Sequence, residues 1–233
     1  MWVKDLAQTN GIKTRAYRNA NRLVEFERSL HLFIEPNLQN LFMNSTLLIR
    51  FLNLYYTTMH FAVTSGVLLW LYVRHQQRYG RMRTILLLSS TLALIAYFAF
   101  PLLPPRLYPC DCLVDTLDVV GGSWSYYSNQ IKHLANPYAA MPSVHFSWAL
   151  WSGIALWRYG RHRVTRVIGV VHPMLTGFAI VATANHYWLD AVGGAIVLAL
   201  AAWLVTAGSH WRNQRSTTAD ATTVDKLGGV VSR

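Results

Sequence analysis

The sequence predicts an all-α fold, an integral membrane helical bundle of five to six transmembrane helices. Three observations predict it. Of the 233 residues, 53% are hydrophobic and only 13% charged, against roughly 25% charged in soluble domains. Several apolar runs reach the ~17–25 residues that a membrane-crossing helix needs. The net charge of +11 is concentrated between those runs rather than within them. A pI of about 10.0 on so apolar a chain does not fit a soluble nucleic-acid binder. The hydrophobic fraction excludes a disordered basic tail, and two cysteines exclude a disulfide scaffold.

The elements follow in order. Residues 1–50 form an amphipathic N-terminal segment interrupted by Pro36, with no apolar run and cleavage site of a secretory signal. A cytoplasmic N-terminus requires a crossing within Leu30–Arg50, giving six spans; otherwise this segment lies at the interface. Phe51–Val73 is the first clear span, with Asn53 and His60 inside it. Thr84–Leu103 follows, without a charge. Val144–Trp157 is short, bounded by Pro142 and snorkelling at Arg158. Val167–Ala184 and Trp188–Ala207 complete the transmembrane core over residues 51–207. Residues 208–233 read as a flexible cytoplasmic tail.

Charge sets the orientation. Arg74, Arg78, Arg81 and Arg83 fill one short loop, Arg158, Arg161, Arg163 and Arg166 another, and the tail is net positive. The positive-inside rule puts all three in the cytoplasm. The connection 104–141 then faces outward, with net charge −1. The reading is of a plasma-membrane protein with its outer loop and polar groups on the extracytoplasmic face.

Polar groups at membrane depth are costly and mark function. Arg106 follows Pro104-Pro105 at the outer end of one span. Ser143 and His145 open the next, and His186 and Asp190 open the last. The i, i+4 spacing places His186 and Asp190 on one helix face. A carboxylate on one imidazole nitrogen fixes the tautomer and leaves the other nitrogen as a nucleophile. His145 supplies a second imidazole as general acid. Arg106 has the planar fork that suits phosphate oxygens, and Ser143 adds a hydroxyl beside a helix N-terminus. A nucleophile, its orienter, an acid and an anion cradle make a phosphoryl-transfer site.

These blocks resemble the type-2 phosphatidic acid phosphatase superfamily. Pro-Pro-Arg at Pro104–Arg106, Pro-Ser-x-His ending at His145, and His-x-x-x-Asp from His186 to Asp190 stand in that family's order. The stretches Phe100–Arg106, Asn136–His145 and Thr183–Asp190 are most similar to its inositol phosphorylceramide synthase-like branch. So are the Glu27…Glu35…Gln39 pattern and Asn53-x-x-Tyr56-x-x-x-His60. The resemblance covers roughly residues 20–207. It implies attack on phosphorus by His186 to form a phosphohistidine, orientation by Asp190, and proton transfer by His145. It implies phosphate binding by Arg106 and Ser143, with no metal and no cofactor. Asn53, Tyr56, His60, Asn136 and Asn185 are candidates for a headgroup or acceptor pocket. Two cations of the broader family are missing, since Ile180 and Ala99 stand at their positions. Arg106, or Lys132 in the outer loop, then carries more of the anion binding.

The resulting expectation is a lipid phosphatase or phosphotransferase. Its substrate is a phospholipid or prenyl phosphate, and its acceptor is water, inositol or another alcohol. The alternative is a noncatalytic lipid-phosphate-binding or lipid-translocating protein. The complete His186, Asp190 and His145 set speaks against it, because a cradle needs no nucleophile. Nucleic acid is not an expected partner; membrane lipids are.

Other signals have plainer readings. The stripe Glu27, His31, Glu35, Gln39 faces headgroups or ties the N-terminal segment to the core; Pro36 breaks the register a metal site would need. His172 beside Pro173 reads as a polar contact at a kink. Cys110 and Cys112 are spaced poorly for a mutual disulfide. Trp124, Tyr126 and Tyr127, near Gly121-Gly122, suggest a lid over the site.

Overall fold

The computed structural model describes residues 10–110, 112–120 and 138–231. Eight α-helices are present among them, and no strand. Helix α1 (Asn10–Ser29) and α2 (Glu35–Met43) precede five longer helices and one short one. The longer ones are α3 (Thr46–Arg74), α4 (Gln76–Ala99), α6 (Val144–Tyr159), α7 (Arg163–Ala182) and α8 (Trp188–Val231). The short one, α5 (Thr116–Val119), lies in the long connection after α4. Helices α4, α7 and the stretch Trp188–Ser209 of α8 are long and apolar enough to cross a membrane.

A crossing within Leu30–Arg50 is not what forms. Nine residues of α2 rise only about 14 Å, less than half of a hydrocarbon core about 30 Å thick. Pro36 sits in its first turn, where a missing N–H is harmless. The chain breaks before it, with His31 in the left-handed region at φ 58°. Helix α1 instead lies across one end of the bundle. Its Ala16, Ala20, Leu23 and Val24 stripe packs on Leu102, Leu103, Ala140 and Tyr187. Asn19 Nδ2 donates to the Pro101 carbonyl at 2.8 Å, which anchors the helix there.

The span expected at Thr84–Leu103 is shifted towards the N-terminus. Its helix ends at Ala99 because Phe100 precedes Pro101 and is forced out of the helical region, to φ −134°, ψ 71°. It starts at Gln76, with His75 alone between α3 and α4. The arginines expected in loops therefore sit in helix ends: Arg74 in α3, Arg78, Arg81 and Arg83 in α4, Arg158 in α6, and Arg163 and Arg166 in α7. Arginine and glutamine are good helix formers and nothing there stops the helix. Helix α8 likewise continues past Ala207 to Val231 without a break.

The main core joins α3, α4, α6 and α8 through Val67, Leu71, Ile85, Leu86, Trp151 and Leu198. The Trp151 indole N–H donates to the Met82 carbonyl at 3.0 Å, so this buried donor is paired. Helices α6 and α7 meet backbone to backbone: a Cβ on Gly153 would lie 2.3 Å from the Gly169 oxygen. Small residues at such crossings are the usual device of membrane bundles. Outward positions are apolar, including Leu94, Ile95, Ile168, Met174 and Ile196, as a lipid-facing surface requires.

Candidate active site

The fold brings Arg106, Ser143, His145, His186 and Asp190 to one end of the bundle. The connection after α7 makes the first link. Ala184 takes the left-handed conformation at φ 54°, which ends α7 and returns the His186 N–H to the Ile180 carbonyl at 3.0 Å. The Ala184 carbonyl accepts the Arg106 backbone N–H at 2.8 Å. Arg106 is thereby fixed to Ala184, which stands two residues before His186.

His186 then faces two acceptors. Its Nδ1 is 2.9 Å from the Ala140 carbonyl and 3.2 Å from Asp190 Oδ2. Neither group can donate when the carboxylate is ionised, so Nδ1 carries the proton and Nε2 presents its lone pair. Nε2 is buried and has no hydrogen-bond partner. Asp190 Oδ2 also accepts the Tyr187 N–H at 3.0 Å, so one carboxylate both orients the imidazole and caps α8. Asp190 is fully buried.

Helix α6 brings the second imidazole. Ser143 is its N-cap, accepting the Phe146 N–H at 3.3 Å, and its own N–H donates to the Asp190 carbonyl at 2.8 Å. The approach of α6 to α8 depends on Gly193 and Gly194; a Cβ on Gly194 would lie 2.4 Å from the Ser143 oxygen. Tyr97 supports the same turn by donating to the Pro142 carbonyl at 2.9 Å. The His145 ring lies 5.5 Å from that of His186, centroid to centroid. It stacks on Tyr56 at 4.3 Å and meets the edge of His60 at 4.2 Å.

Arg106 and Asp115 form an ion pair at 2.9 Å, using one guanidinium nitrogen. The other Asp115 oxygen caps α5 through the Leu117 N–H at 3.1 Å. The pair thus ties the phosphate-binding candidate to the loop beside it.

The candidate pocket residues divide. Tyr56 and His60 lie against His145. Asn53 is committed to Thr116: its amide donates to the Thr116 carbonyl at 2.9 Å and its carbonyl accepts the Thr116 hydroxyl at 3.0 Å. Asn185 donates to the Thr183 hydroxyl at 2.7 Å, and its buried Oδ1 has no hydrogen-bond partner. Asn136, Lys132 and the aromatic lid residues lie outside the described residues.

The N-terminal stripe works as a tie. Glu35 Oε1 accepts the Trp188 N–H at 3.0 Å, a second cap on α8. Gln39 exchanges two hydrogen bonds with Val114, at 2.9 and 2.8 Å. Burial pushes the Glu35 carboxyl up, opposed by the Trp188 N–H. Glu27 is fully buried, with both oxygens unbonded. Burial, helped by the charges of Glu35 and Asp190, pushes it up to about 9. No cluster of three or more metal-ligating groups occurs among the described residues. His172 makes the polar contact expected of it, to the Tyr55 hydroxyl at 2.5 Å.

One expectation is corrected. Cys110 and Cys112 are joined by a disulfide. The turn that holds them brings their Cα atoms to 5.1 Å, within the ordinary span of such a bond. Sequence separation alone was the wrong measure. Sequence reasoning also passed over Ala140, Asp115, Glu35 as a cap, and Gly193-Gly194. Ala140 and Glu35 act through contacts distant in sequence; Asp115, nine residues from Arg106, and the glycine pair were local signals.

A membrane-type helical bundle with paired imidazoles and a buried carboxylate at one end defines the class. The chain belongs to the PAP2 superfamily, whose family model matches residues 21–204. It is thus a phosphatase-type protein of the membrane. A crystal structure of Aquifex aeolicus LpxE is similar to it, with TM-score 0.46 and 15% identity, covering 71% of this chain and 94% of that one. No curated protein matches the sequence.

Proposed function

We propose that this chain is a metal-independent lipid phosphatase or phosphotransferase that works through a phosphohistidine on His186. The carrying observation is the His186 Nδ1 held between Ala140 O and Asp190 Oδ2. Two acceptors on that nitrogen leave Nε2 as the nucleophile. Nε2 attacks the phosphorus of a phospholipid or prenyl phosphate. The bond from phosphorus to the lipid oxygen breaks, and His145 protonates the departing oxygen. His145 then takes a proton from water or from an alcohol such as inositol. That oxygen attacks phosphorus, the P–N bond breaks, and His186 is restored. Arg106 and Ser143 hold the non-bridging oxygens, assisted by the N-terminus of α6. Tyr56 and His60 border the acceptor. The same reading puts the site on the extracytoplasmic face of the plasma membrane and the C-terminus in the cytoplasm, supported by the arginines at the opposite helix ends.

The test is direct. Purified protein is incubated with phosphatidic acid, other phospholipids and prenyl phosphates, with and without inositol. Free phosphate, or a free phospho-headgroup from a diester donor, marks hydrolysis, and a new phosphate ester of inositol marks transfer. An acid-labile phosphoryl adduct on His186 is expected during turnover. Full activity in His186→Ala rejects the mechanism, and binding without turnover across the panel supports a noncatalytic binder instead.

A further inference from the structure

The lipid-facing side of α6 and α7 carries a furrow unrelated to the paired imidazoles. It is an open groove of about 680 Å³. Its floor is Gly153, Gly169 and Pro173, where the helices touch and no side chain fills the surface. The end nearer His145 is stopped by Phe146, whose ring lies against Gly177. The other end opens between Arg158 and Arg166, beside the exposed Trp157.

Three features define what fits. From Phe146 to Trp157 the furrow runs eleven residues, about 16 Å at 1.5 Å per residue. That is close to half of a hydrocarbon core about 30 Å thick, the depth of one leaflet. The lining is apolar apart from the two arginines at its mouth. No Asp or Glu occurs between Tyr138 and Tyr187, so neither helix offers these arginines a counter-ion. Arg166 Nε donates to the Gly160 carbonyl at 3.1 Å, which holds its guanidinium at the mouth. Basic pockets between membrane helices bind anionic lipid headgroups, and a tryptophan at this depth anchors in the interface.

We propose that this furrow is a binding site for an anionic phospholipid of the leaflet opposite the active site. The lipid phosphate sits between Arg158 and Arg166, and one acyl chain lies along Gly153, Gly169 and Pro173. This lipid is not the substrate, because its phosphate is held about 20 Å along α6 from His145. The inference rests on the membrane reading of α6 and α7 and not on the phosphoryl-transfer chemistry.

The experiment uses the full chain as His186→Ala, so that no lipid is consumed. Delipidated protein is placed in nanodiscs of phosphatidylcholine alone or with phosphatidylglycerol, and bound lipid is counted by native mass spectrometry after release. One phosphatidylglycerol per chain is expected, retained at least tenfold over phosphatidylcholine. Arg158→Gln with Arg166→Gln is expected to lose that preference tenfold. Ile154→Trp keeps both charges and fills the furrow; it is expected to lose the bound lipid as well. Glycerol phosphate, which has the headgroup charge but no chain, is expected not to compete. Equal retention of the two lipids overturns the proposal. So does an unchanged preference in either variant, competition by glycerol phosphate, or a lipid-free dimer with the furrow covered by a second copy.

Discussion

His186 Nδ1 stands 3.2 Å from Asp190 Oδ2, and the same oxygen accepts the backbone N–H of Tyr187 at 3.0 Å. One buried carboxylate therefore sets the imidazole tautomer and fixes the start of α8. Asp190→Asn keeps the shape and an acceptor for Nδ1 and the Tyr187 N–H but removes the negative charge. That withdraws the charge which supports the imidazole as Nε2 takes the phosphoryl group. Initial rates with the best substrate are expected to fall roughly 10²–10⁴-fold. The thermal midpoint should move far less than the rate. An Asn variant with wild-type kcat rejects the orienting role.

The meeting of α6 and α8 is held by absent side chains. At Gly194 a Cβ would lie 2.4 Å from the Ser143 oxygen, and backbone cannot swing away as a flexible side chain would. Gly194→Ala must push Ser143 and His145 away from His186. The expected cost is about 1–3 kcal/mol in stability and about 10²-fold in kcat, the effect of misplacement by about an ångström. Gly66→Ala is the control, because nothing lies within 4 Å of its added Cβ. Equal activity in the two variants, measured on detergent-solubilised protein, rejects the argument.

The sequence made legible what is local or periodic. The spacing of His186 and Asp190 gave their shared face, and Ser143 was placed beside a helix N-terminus, where its hydroxyl accepts the Phe146 N–H. Apolar length placed α7 to within about four residues and the start of α8 at Trp188, but not the end of α8. What failed depended on distant contacts or on chain geometry. Nothing in Glu35 announces a cap on Trp188, 153 residues away. Asn53 looked like a pocket residue because it lies one helical turn from Tyr56; only the fold shows its amide engaged with Thr116. Of the two readings of Leu30–Arg50, the interfacial one fits, because Pro36 and the turn at His31 leave α2 too short to cross.

Arg106 is expected to be sensitive to shape as well as charge. Its backbone N–H is fixed to Ala184 and one guanidinium nitrogen to Asp115. A guanidinium is a planar fork that matches phosphate oxygens in pairs. Arg106→Ala should raise KM and lower kcat together, by roughly 10²-fold or more in kcat/KM, since charge-assisted contacts of about 1.5–3 kcal/mol are lost. Arg106→Lys should recover only part of this, because an ammonium cannot reproduce the fork. Full recovery by lysine, in paired kcat and KM measurements, shows that charge alone is used.

Glu27 makes a prediction about pH. It is fully buried in α1, with both oxygens unbonded, and burial raises it from 4.5 to about 9. Between those values the native chain binds a proton that the unfolded chain has released. Stability linked to this group is therefore complete below about pH 4.5 and is lost as pH rises towards 9. Glu27→Gln keeps the neutral shape and cannot ionise, so its thermal midpoint should decline less over that window. Glu35 is present in both proteins, so the difference between the two curves reports Glu27 together with its coupling to Glu35. The expected difference widens steadily with pH and levels off above about 9. Parallel curves from pH 5 to 9, measured in the same detergent and salt, show that Glu27 enters the folded protein already ionised. They would also remove the reason for its lying unbonded beside Glu35 and Asp190.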